Sequence, residues 1–158
     1  MKNSENNKLN EKADILYRFT IMCGDYLKSV RDYGTGDKIN MVEIHILTYI
    51  ADHPGITVTQ IASDWHKTKA TVSEIVKKLE KRGFIEKRKE GNNAKTLHCH
   101  VTELGNMLSL AHKNYDMKTV IYNTETLRRE FTEQEMEIFY KIMDRFTELI
   151  LIPELEKS

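Results

Sequence analysis

The stretch from Thr57 to Arg88 constrains this chain most: two short apolar repeats of helical period stand on either side of a polar turn. Thr57-Val58-Thr59-Gln60 has the form of a capping box, in which the Thr57 hydroxyl accepts from the Gln60 backbone and the Gln60 side chain reaches back. Val58, Ile61, Ala62 and Trp65 then fall at i, i+3, i+4 and i+7, one apolar face of a short helix. Asp64 to Lys67 supplies the turn, and Thr68 is the next N-cap. Val72, Ile75, Val76 and Leu79 repeat the spacing, while Lys69, Thr71, Ser73, Glu74, Lys77 and Lys78 occupy the opposite face. Gly83 closes this second helix behind Lys81-Arg82. A short helix that is apolar inside and polar and basic outside suits entry into a major groove.

Phe84 to Lys89 reads as a strand, and Leu97, Cys99 and Val101 alternate with Thr96, His98 and His100 as another. Between them Glu90-Gly91-Asn92-Asn93-Ala94-Lys95 suits a hairpin tip. Helix, turn, helix, strand, loop, strand is the order of a winged helix. Three segments carry a closer likeness: Thr68-Lys69-Ala70-Thr71-Val72-Ser73, then Leu79-Glu80-Lys81-Arg82-Gly83-Phe84-Ile85-Glu86-Lys87-Arg88, then Val101-Thr102-Glu103-Leu104-Gly105. On them the chain resembles the MarR family of bacterial transcription regulators, from about Asn40 to Gly105 and more loosely through both flanks. The resemblance implies a mainly α (α+β) fold, a winged helix-turn-helix with a helical dimerisation region built from the N- and C-terminal helices. Residues 1–36 and 102–158 would form that region, and residues 37–101 the DNA-binding domain. It implies a homodimer on a pseudopalindromic operator of double-stranded DNA, acting as a repressor and released by a small effector. Lys69, Ala70 and Ser73 would meet base edges, and Lys77, Arg88 and Lys95 phosphates; Thr68 and Thr71 complete the expected DNA-binding set.

Charge supports that placement. The chain is neutral as a whole, yet His66 to Lys89 holds nine Lys or Arg against three Asp or Glu, a surplus of six positive charges. The excess falls on the second helix and first wing strand, as phosphate contacts require. No apolar run approaches membrane-spanning length and the polar N-terminus lacks a signal-peptide core, so no membrane partner and a cytoplasmic location are expected. Cys23 and Cys99 sit on different elements and form no disulfide framework.

Around the winged helix the chain reads as long helices. After a disordered start, Leu9 to about Tyr33 carries Ile15, Phe19, Met22, Cys23, Tyr26, Leu27 and Val30 as one apolar stripe, ended by Gly34-Thr35-Gly36. A second helix runs from about Asn40, its N-cap, to Asp52 and stops at His53-Pro54-Gly55. Thr102 caps a fifth helix through Leu104, Met107, Leu108, Ala111 and Tyr115, with a possible break at Tyr122 to Thr126. Thr132-Glu133-Gln134-Glu135 caps the last, where Met136, Phe139, Ile142, Met143, Phe146, Leu149 and Ile150 repeat. The terminal helices are too apolar for a small winged helix to bury alone, and large apolar stripes mark an interface.

Catalytic chemistry is not expected: the chain has no glycine-rich phosphate loop, nucleophile elbow or paired-carboxylate motif. No cofactor is expected either. His98 and His100 share a strand face at a spacing zinc sites use, but no further ligand pair stands nearby, and they read as wing-face histidines around a buried Cys99. Zinc-sensing members of the family take ligands from helices comparable to those of Glu43, His45 and His112, so these are the metal candidates, within a reading of no metal site. Cys23 has no adjacent cation and lies on an apolar stripe, which suits a buried inert thiol. By the same resemblance Tyr26, His45 and Tyr49 would line an effector cleft. Two departures from the family pattern bear on specificity: Glu74 stands where many members carry Arg, and Asn93-Ala94-Lys95 where the wing carries Asp-x-Arg. They keep open a competing class, a winged-helix protein-interaction module without specific DNA binding.

Overall fold

The computed structural model describes residues 2–90 and 96–150, the side chains of residues 2–5 and 150 excepted. The chain divides into two compact units, Met1–Tyr115 and Asp116–Ser158. In order the elements are α1 (Lys2–Lys28), β1 (Val30–Asp32), β2 (Lys38–Asn40), α2 (Met41–Asp52), β3 (Ile56–Thr57), α3 (Val58–Asp64), α4 (Lys69–Lys81), β4 (Ile85–Lys89), β5 (Leu97–Val101), α5 (Glu103–Leu127) and α6 (Glu133–Ile150).

The first helix differs from expectation at both ends. It begins at Lys2 instead of following a disordered leader, and it stops at Lys28, short of Tyr33. Beyond it, Val30, Arg31 and Asp32 pair antiparallel with Asn40, Ile39 and Lys38. The Gly34-Thr35-Gly36 segment therefore turns a hairpin and does not end a helix. Its backbone N–H groups all donate to Asp32 Oδ1, at 2.8, 3.1 and 3.0 Å, and Gly34 and Gly36 take the φ of 91° and 83° that this wrap needs. Asn40 fixes both neighbours of the hairpin. Its Oδ1 accepts from Val42 N at 2.9 Å and so caps α2, while its Nδ2 donates to the Lys28 carbonyl at 3.2 Å near the end of α1.

The core of the first unit gathers around α2, where Met41, Ile44, Ile46, Leu47 and Ile50 are all buried. Ile61 and Ala62 of α3, the four-residue inner face of α4, Phe84, Ile85, Cys99 and Leu108 join the same cluster. The capping box at Thr57 and Gln60 is present in both halves, and Thr68 caps α4 by accepting from Thr71 N. The wing is a three-stranded antiparallel sheet in the order β3-β5-β4, with Ile56 opposite Cys99 and Ile85 opposite Val101. Its two-residue strand β3 carries no period of its own and was not expected from the sequence.

A close approach locks α5 to the wing. Thr102 Oγ1 donates to Gly83 O at 2.7 Å and accepts from Gly105 N at 3.1 Å. A Cβ on Gly105 would lie 1.9 Å from the Phe84 carbonyl oxygen. Only glycine fits there without movement of the backbone.

The break considered at Tyr122 to Thr126 does not occur; α5 runs unbroken to Leu127. The Thr126 hydroxyl donates to the Tyr122 carbonyl one turn back at 2.8 Å, so it has no need of an outside partner. In the second unit Thr132 and Glu135 cap α6 reciprocally, Thr132 N donating to Glu135 Oε2 at 2.8 Å. Those hydrogen bonds, from the Thr132 hydroxyl and then its backbone, hold the Glu135 carboxyl below its usual range. Much of the apolar stripe of each terminal helix stays exposed: Ile15, Phe19, Met22 and Leu27 on α1, and Phe139, Ile142, Phe146 and Leu149 on α6. Among the described residues no helix is long and apolar enough to cross a membrane.

Replacing Gly105 with alanine is expected to destabilise the protein by about 1–3 kcal/mol, the range for overpacking a tight contact. Urea unfolding of Gly105→Ala beside the wild type measures it, and an unchanged midpoint would refute the close approach.

Candidate nucleic-acid interface

α4 exposes Lys69, Ala70, Thr71, Glu74, Lys77, Lys78, Glu80 and Lys81 and holds Ser73 half-buried. Its start is stiffened by Thr68, whose hydroxyl lies 2.8 Å from that of Thr71 and 3.2 Å from the Thr71 amide. Just before it, His66 takes a left-handed φ of 47°, and Lys67 N donates to Ala62 O at 2.9 Å. The turn between the two helices is thus closed by the backbone.

The positive surplus of residues 66–89 is redistributed by pairing across the chain. Lys78 lies 3.5 Å from Glu43 of α2, and Arg82 lies 3.6 Å from Asp37 of the hairpin while its guanidinium stands over the Phe84 ring. Lys87 is tied to Glu80 at 2.6 Å, and Arg88 pairs with Glu86 on its own strand. Among the described residues Lys67, Lys69, Lys77, Lys81 and Lys89 have no carboxylate partner. Of the expected DNA-binding set, the structure places Thr68, Lys69, Ala70, Thr71, Ser73 and Lys77 on α4 and Arg88 on β4; Lys95 lies outside the described residues. Glu90, next to the wing tip, ties the base of β5: its carboxylate is 2.5 Å from His100 Nε2 and 3.7 Å from His98 Nδ1. His98 Nδ1 in turn lies 2.7 Å from the Gly55 carbonyl. The two wing-face histidines are structural partners of Glu90 and β3.

The matched family model covers residues 39–97 and describes the MarR family. The winged helix thus matches the MarR family over those residues. A curated relative, the uncharacterized HTH-type transcriptional regulator YhjH of Bacillus subtilis (strain 168), is 37% identical over 87 residues, which are 55% of this chain. The match spans half of that relative's length. Among solved structures, zinc-responsive ZitR of Lactococcus lactis aligns with a TM-score of 0.70 at 20% identity, over 89% of this chain and 97% of that one. FabT of Streptococcus pneumoniae, solved in complex with DNA, aligns with a TM-score of 0.65 at 21% identity, over 91% and 96%. These two are likenesses of fold.

The remaining candidates fall into separate places. Glu43 is occupied by Lys78 and does not join the two histidines expected beside it. His45 and His112 do meet, edge to face with centroids 4.6 Å apart, and His112 Nδ1 lies 3.2 Å from the Thr48 hydroxyl. Tyr26 stacks under the Arg31 guanidinium, which also reaches the Tyr115 ring and hydroxyl. Tyr49 lies elsewhere, against His53 and Trp65, in a surface depression with Gln60 and Asp64. Tyr26 and Tyr49 thus lie among different neighbours, while His45 and Tyr49 both border Trp65. The sequence missed Arg31, Tyr33 and Tyr115, which pack together beside His112; residues this far apart in the chain leave no local signal. Cys99 is buried, and desolvation, partly offset by Lys87, pushes its thiol up.

The Tyr49 hydroxyl donates to Asp64 Oδ2 at 2.9 Å, and that bond, followed by desolvation and the carboxylate's charge, raises the phenol above its ordinary value. Its contribution to stability is whole below the unfolded tyrosine pKa and is lost as pH rises through the raised one. Spectrophotometric titration should show one tyrosine ionising late, and Asp64→Asn should bring it down; identical curves would remove the hydrogen bond from the account.

Proposed function

We propose that this protein is a homodimeric transcriptional regulator that binds a pseudopalindromic operator in double-stranded DNA, represses from it and is released by a small effector. The observation that carries this is the outer face of α4, where exposed lysines without carboxylate partners stand on a helix whose inner face is fixed in the core. Residues 37–101 act as the DNA-binding domain, and residues 1–36 with 102–158 as the dimerisation region. The exposed apolar faces of α1 and α6 support that division, because a two-fold pairing covers them and presents two recognition helices to two half-sites. The setting is cytoplasmic, on the nucleoid when bound. FabT, solved with DNA, is a fold relative consistent with this reading.

In the complex Lys69, Ala70 and Ser73 meet base edges, and Lys77, Arg88 and Lys95 meet phosphates. Anisotropy titration with duplex from the chain's own upstream region, across a salt series, tests both roles. Lys69→Ala should cost about 1–3 kcal/mol per half-site and relax preference at one position. Lys77→Ala should weaken operator and scrambled duplex alike and lower the salt slope by about one unit per lost contact. Binding without preference between the two duplexes would favour a general interaction module instead. Light scattering should report about twice 18.5 kDa; a monomer that binds DNA tightly would refute the dimer.

A metal-responsive form of the same regulator is favoured by one observation, the meeting of His45 and His112. ZitR, a fold relative, is zinc-responsive. On that reading zinc shifts operator affinity in the wild type and not in His112→Ala. Equal affinity with zinc and with chelator would leave a regulator without metal.

A further inference from the structure

Val72, Ile75, Val76 and Leu79 face the core, so the line of α4 farthest from it runs through Ala70, Glu74, Lys77 and Lys81, at i, i+4, i+7 and i+11. All four are exposed. Glu74 is thus an acid on the outermost line of a basic face. Other carboxylates around α4 hold cations: Glu43 holds Lys78, Asp37 holds Arg82, Glu80 holds Lys87 and Glu86 holds Arg88. Glu74 holds none among the described residues, although Lys77 and Lys78 stand at i+3 and i+4 where helical pairs form.

An ionised carboxylate can only accept hydrogen bonds. In a groove it is repelled by phosphate and loses water, so its place there is favourable only opposite a donor. In the major groove guanine offers the acceptors N7 and O6, and thymine the acceptor O4 beside a methyl group. Adenine offers the N6 amino group but sets the acceptor N7 next to it, whereas cytosine offers the N4 amino group with no acceptor on its own edge. We infer that Glu74 is a specificity-determining residue that accepts from the N4 amino group of one cytosine in each half-site. The inference rests on the proposed DNA binding. It gives Glu74 two effects of opposite sign: it supports one base and weakens every duplex that lacks it, so selectivity rises while general affinity falls.

The test is selection from a randomised duplex library with the full-length wild type, Glu74→Ala and Glu74→Gln, followed by anisotropy on the selected duplexes. Glu74 is exposed, and thermal melts of the three proteins check that the variants fold. The wild type should select cytosine at one symmetric position, with a loss of roughly tenfold on changing it. Glu74→Ala should lose preference at that position alone and bind scrambled duplex more tightly. Glu74→Gln should move the preference to adenine, whose N6 and N7 an amide meets with both its groups. If all three select one consensus and the variants merely bind everything more tightly, Glu74 is only a repelling charge and the inference is overturned. If the wild type selects no duplex, DNA binding itself fails and this inference falls with it.

Discussion

Val72, Ile75, Val76 and Leu79 decide which side of α4 the solvent sees. Fully burying a side chain of this kind is worth about 1.5–3 kcal/mol, so the four together hold the rotation of the helix with on the order of 6–12 kcal/mol. The ion pairs made by Lys78 and Arg82, at 3.5 and 3.6 Å, are partly exposed and contribute about 0–1 kcal/mol each. Packing therefore sets the orientation, and charge follows it. Lys78 and Arg82 lie toward α2 and the hairpin and find acids there; Lys77 and Lys81 lie outward and find none. A repacked core would rotate the charged stripe as a body, which no surface substitution does.

The winged helix was legible because its signals are local. Thr57 with Gln60, Thr68 with Thr71, and Thr132 with Glu135 each complete a cap within four residues, and each forms as the spacing predicts. The hairpin of β1 and β2 was illegible for the opposite reason. Val30 continues the apolar spacing of α1, and the preference of Val30 and Arg31 for a strand depends on their partners Asn40 and Ile39, ten and eight residues on. β3 is two residues long and exists only because β5 is there to pair with it. The same division runs through the candidate site. The outward residues of α4 follow from period alone, whereas the capture of Glu43 by Lys78, and of Lys87 by Glu80, needed the folded chain. Charge counting found the basic segment and overstated the free cations within it.

The histidines show how a residue type can mislead without its surroundings. His98 and His100 share a strand face as a zinc pair would, yet Glu90 and the Gly55 carbonyl occupy the nitrogens that face them. The result is a brace from the end of β4 through His98 and His100 to the start of β3. His45 and His112, 67 residues apart in the chain, offered no spacing to read and are the pair whose rings meet.

Aromatic contact then extends from that pair in both directions. His112 packs on Tyr33, which packs on Tyr115; His45 packs on Trp65, which packs on Tyr49. Trp65 is the C-cap of α3 and so borders the turn that leads into α4. His45 is half-buried between Trp65 and His112, so a shift of its ring toward either side meets another ring. Displacement toward Trp65 disturbs the turn on which the start of α4 depends, and displacement toward His112 disturbs the seat of α5 on Thr48. Continuity of packing is a necessary condition for one site to influence another and not a sufficient one. Here that condition is met between the histidine pair and the turn before α4, within the same unit.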